Sequence, residues 1–97
     1  MIIRNLPQLI EKESISQIKF KEEFRFRSQD EKKKLDYLLY NAMILGNISH
    51  NKVKIVFTTE EGIRQVETTI WAATENNIIL KGGVVIPTYC ILDVKLF

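Results

Sequence analysis

The sequence predicts an α+β domain in which an N-terminal helical or extended segment and one helix cap a five-stranded antiparallel barrel. Three observations carry that prediction. Residues 28–46 put apolar side chains at helical spacing behind a capping signal. Residues 51–97 alternate apolar and polar side chains in short runs. Gly, Asn or Pro separates most of those runs, as tight turns require.

The first 27 residues form an arm of mixed character. Leu6, Leu9 and Ile10 have helical spacing, and Pro7 suits a first helical turn, which predicts a short helix ending near Glu13 or Ser14. From Ser14 the pattern changes. Ile18 and Phe20 alternate with polar residues, as do Phe24 and Phe26, which reads as extended chain with one apolar face.

The helix over 28–47 is the clearest element. Ser28 with Glu31 three residues on makes a capping box, and Asp30 and Glu31 put negative charge at the positive end of the helix dipole. Leu35, Leu38, Leu39, Ala42 and Leu45 form the buried stripe, and Gly46 or Asn47 is read as the terminator. Tyr37, Tyr40, Met43 and Ile44 lie off that stripe. The helix is therefore apolar over more than one face, which suits a second layer or a second subunit.

The strands follow in order. Val53, Ile55 and Phe57 point one way, and Lys52, Lys54 and Val56 the other. "TEEG" turns the chain, with Gly62 available for positive φ. A long strand places Val66, Thr68, Ile70 and Ala72 on one face, and Glu67, Thr69, Trp71 and Ala73 on the other. "ENN" and "KGG" turn the chain again around "IIL", and "VVI" ends at Pro87, which cannot donate to a ladder. The last strand, "ILDVKLF", directs Ile91, Val94 and Leu96 inward. Five twisted strands tend to curl, and closure removes exposed edges, so a barrel over 51–97 is the predicted architecture.

A helix, five strands and a final Ile86-Pro87-x-x-x-Ile91-x-x-Val94 segment resemble an SH3-like barrel. With the N-terminal helix, residues 28–97 are similar to the Sm-like proteins. That resemblance implies a single 3₁₀ turn at Pro87–Cys90 and a tendency to form homo-oligomers. It brings no RNA-binding residue. The turn Thr74-Glu75-Asn76-Asn77 lacks the glycine of RNA-binding members, and Pro87-Thr88-Tyr89-Cys90 has neither the lysine nor the histidine of the bacterial RNA chaperone.

Composition narrows the function classes. With 97 residues, 45% of them hydrophobic and 27% charged, the chain suits one globular domain. A net charge of +2 gives a weak overall field. A single cysteine and the lack of a long apolar run near the N-terminus lead to the expectation of a reduced, cytoplasmic protein with no membrane contact. No cofactor, metal or catalytic set is expected. His50 sits in a polar loop without neighbouring ligands, Cys90 reads as a small buried hydrophobe, and Gly82-Gly83 leads into a strand rather than a phosphate-binding helix.

The expected function is therefore that of a non-enzymatic, oligomeric protein-interaction module. Its candidate contacts are Phe20, Phe24, Phe26, Tyr37, Tyr40 and Trp71, which supply more apolar surface than one small barrel needs. The alternative is single-stranded nucleic acid, held by Lys19, Lys21, Arg25, Arg27, Lys32, Lys33 and Lys34 with phenylalanines between them. Glu22, Glu23, Asp30 and Glu31 cancel much of that charge, so a solvated face is the preferred reading of the cluster.

Overall fold

The computed structural model describes residues 8–20, 28–49 and 51–96. The elements in chain order are β1 (Gln8–Leu9), a 3₁₀ helix (Lys12–Gln17), α1 (Gln29–Ser49), β2 (Val53–Thr59), β3 (Gly62–Thr68), β4 (Ile70–Ala73), β5 (Asn77–Leu80), β6 (Val85–Pro87), a 3₁₀ turn (Thr88–Cys90) and β7 (Ile91–Leu96).

The strands form two open sheets, not one closed barrel capped by a helix. One sheet has the order β1-β3-β2-β7 and the other β4-β5-β6. Two local causes correct the barrel expectation. First, the long strand expected over residues 63–73 breaks at Thr69. β3 ends at Thr68 and β4 begins at Ile70, and Thr68, Thr69 and Ile70 are all buried, so the crossing is covered on both sides. The chain leaves one sheet there and enters the other. Thr69 stays hydrogen-bonded through the break: its carbonyl accepts from the Lys81 N–H at 2.9 Å, and its hydroxyl donates to the Asn51 carbonyl at 3.4 Å. Second, β6 is only three residues long. It ends at Pro87, which has no N–H, and runs straight into the 3₁₀ turn, so no ladder joins β6 to β7 among the described residues.

Helix α1 packs against β4 and β7, an edge strand of each sheet, and so spans the side that closure would have sealed. The capping box forms as the sequence indicates: Ser28 Oγ accepts from the Glu31 N–H at 3.1 Å and donates to its carboxylate at 3.3 Å. The helix does not stop at Gly46 but runs on to Ser49. Gly46 is buried in its last turns, within the packed stripe of Leu35, Leu39 and Ala42.

The N-terminal segment also differs from expectation. In place of a helix ending near Glu13, Gln8 and Leu9 pair in parallel with Arg64 and Gln65, and a 3₁₀ helix follows. That helix inserts Ile15 into the core cluster, where it is 2% exposed. β2 alternates as the pattern requires, with Val53, Ile55 and Phe57 fully buried. In β7 the β2–β7 register shifts at Val56/Phe57, which lets Ile91 and Val94, three residues apart, both face inward; Leu96, paired with Val53 at the end of the strand, is exposed. Gly62, Gly82 and Gly83 all have positive φ, in the turns expected of them.

Candidate interaction surface

The outer face of the β4-β5-β6 sheet is built by a bulge. The register steps from Ile70 opposite Leu80 to Ala72 opposite Ile79, so Trp71 is the extra residue. A bulge turns two neighbouring side chains to one side. Trp71 and Ala72 therefore both face outward opposite Ile79, and Ala73 returns to the core opposite Ile78. This corrects the expected alternation, in which Ala72 faced inward and Ala73 shared the Trp71 face.

The next ladder continues the row. Ile79 pairs with Val85, and Asn77 with Pro87. Ile78, Leu80 and Ile86 are wholly buried, so their neighbours Asn77, Ile79, Val85 and Pro87 face outward. The result is an apolar row crossing three strands: Trp71 and Ala72, then Ile79, then Val85. Trp71 is 49% exposed and Val85 44%. None of the outward side chains in this sheet is charged.

The tyrosines of α1 are not part of this row. Tyr37 and Tyr40 are exposed, and Tyr40 lines a shallow cleft with Ala73, Thr74, Lys32 and Glu75. Phe20 does not take part. It is half-buried, bridges to Thr59, and sets its ring 6.1 Å from that of Phe57. Phe24 and Phe26 lie outside the described residues, as does His50.

The basic residues do not gather into one patch among the described residues. Lys19 lies beside the β2–β3 turn in a recess shared with Glu60 and Glu61. Lys32 sits 3.8 Å from Glu75 at the β4–β5 turn. Lys33 and Lys34 are exposed on the first turns of α1. Lys21, Arg25 and Arg27 lie outside the described residues.

A groove of about 570 Å³ runs between the first 3₁₀ helix and the β3–β4 break. Three lysines (12, 52 and 81) and three glutamates (11, 13 and 67) line it. Within it Lys12 lies 3.5 Å from Glu13, and Glu67 lies 3.7 Å from Lys54 outside the groove. Among the described residues no cluster of His, Cys, Asp or Glu could hold a metal ion, and no helix is long and apolar enough to cross a membrane. Cys90 is wholly buried, with Sγ 3.1 Å from the Pro87 carbonyl oxygen.

No family model, no curated protein and no solved structure matches the chain.

Of the residues in this row, the sequence analysis names Trp71 as a candidate contact but not Ile79 or Val85. The missed signal lies in "NIIL" and "VVI". These short strands are apolar on both faces, which is the mark of a sheet covered on both sides or meeting a partner on one.

Proposed function

We propose that this chain is a non-enzymatic protein-interaction module whose contact surface is the outer face of the β4-β5-β6 sheet. The observation that carries this reading is the row Trp71–Ile79–Val85. It is an apolar stripe with no charged side chain, produced by a bulge that turns tryptophan outward. Interface centres are depleted in charge and enriched in aromatic residues, and tryptophan is among the commonest energetic anchors. Bulges persist where a side chain has to be re-aimed.

Photo-crosslinking tests the reading. A photoreactive amino acid at Val85, in cells that make the protein, is expected to give covalent adducts with protein. Those adducts should disappear when Trp71→Asp is added. The same probe at Lys33, on α1, should give none of these adducts. Absence of any Val85 adduct would contradict the proposal.

A further inference from the structure

We infer that the occupant of this face is a second copy of the chain, packed about a two-fold axis that runs along β5 with Ile79 on it. The inference rests on the interaction-module reading and adds the identity and geometry of the partner.

Charge is the first argument. The outward side chains of the sheet are Trp71, Ala72, Asn77, Ile79, Val85 and Pro87, all uncharged. A charged partner would find no complement there and would lose its hydration. The same face repeated about a two-fold axis brings no like charges together, and homodimer interfaces are the most apolar class.

Shape is the second argument. The row grades from bulky to small across the central strand: Trp71 on β4, Ile79 on β5, Val85 on β6. Rotation about β5 exchanges the two sides. It sets each Trp71 over the partner's Val85 and Ile79 against its own copy. Large meets small twice, with sheets about 10 Å apart as in aligned face-to-face packing.

Size sets the affinity. Three strands of three or four residues, about 4.8 Å apart, offer much less than the roughly 800 Å² per partner of a stable complex. The dimer is therefore a weak one that forms and dissociates readily.

Sedimentation equilibrium over a wide concentration range is the test. The wild-type chain is expected to move from monomer to dimer mass. Trp71→Asp and Val85→Lys should each raise the dissociation constant by at least about ten-fold. Mixing these two variants should restore association, because the rotation places Asp at 71 opposite Lys at 85. Should Trp71→Asp fail to fold, Ile79→Cys gives an independent reading. On the axis, with the two Cα atoms about 10 Å apart and so too far for a direct disulfide, it should be joined to its copy by a short bis-maleimide crosslinker well ahead of a Lys33→Cys control. A wild-type chain that stays monomeric, or Ile79→Cys crosslinking no faster than the control, overturns the inference. Val85 photo-adducts with a different protein would also overturn it while leaving the interaction surface itself in place.

Discussion

Gly46 and Thr69 lie so close that a Cβ on Gly46 would stand 2.7 Å from Thr69 Cγ2, and 2.9 Å from the neighbouring Ile70 carbonyl oxygen. The last turns of α1 therefore rest on the point where the chain passes from one sheet to the other. The glycine is there for that approach. It does not end the helix.

Gly46→Ala tests the contact. In an open helix the change would stabilise by up to about 1 kcal/mol. Here the added methyl meets backbone oxygen as well as a side chain, and overpacking of this kind costs roughly 1–3 kcal/mol. The expected result is a lower urea midpoint. Adding Thr69→Ser removes one of the two clashes and should recover part of the loss. A gain in stability from Gly46→Ala alone would show that the helix stands further off.

The start of α1 gives a second prediction. Ser28→Ala removes the hydroxyl that caps the Glu31 N–H and bonds its carboxylate. A loss of about 1 kcal/mol is expected in chemical denaturation. Ser28→Asn keeps both a capping oxygen and a donor for the Glu31 carboxylate and should stay near the wild type.

The β5–β6 turn gives a third. Gly82 and Gly83 have φ of 90° and 84°, where a side chain is strained. No atom lies near a Cβ on Gly83, so Gly83→Ala isolates the backbone term, roughly 1–2 kcal/mol. Gly83→Asn should cost less, since Asn visits positive φ more readily. Equal losses for Ala and Asn would show that strain at this φ is not the cause.

Cys90 gives a fourth. With no exposed surface, its thiol should react with a disulfide reagent only when the structure opens. The labelling rate should rise steeply with urea, in step with unfolding. Fast labelling in buffer would mean that the 3₁₀ turn Thr88–Cys90 opens locally.

These residues also show where sequence reading works and where it stops. The alternation at Val53, Ile55 and Phe57, the capping pair Ser28 and Glu31, and the glycine turns are local signals, and each is found in place. The barrel was an inference from strand number. It failed because closure depends on non-local facts: a crossing between sheets at Thr68–Ile70 that is covered on both sides and a β6 cut short by Pro87. Gly46 illustrates the same limit, since a helix-ending glycine and a close-packing glycine look alike in sequence. On the surface, Trp71 stood out by residue type. Its partners Ile79 and Val85 emerge only once the bulge fixes the register.

Trp71 is the only tryptophan in the chain, so it reports on the proposed surface without labelling. Its fluorescence, with acrylamide as quencher, should be followed from low-micromolar to near-millimolar protein. The account predicts a blue shift and a clear fall in quenching as concentration rises, both absent in Val85→Lys. A half-exposed tryptophan that quenches equally at every concentration would contradict the claim that a second copy covers this face.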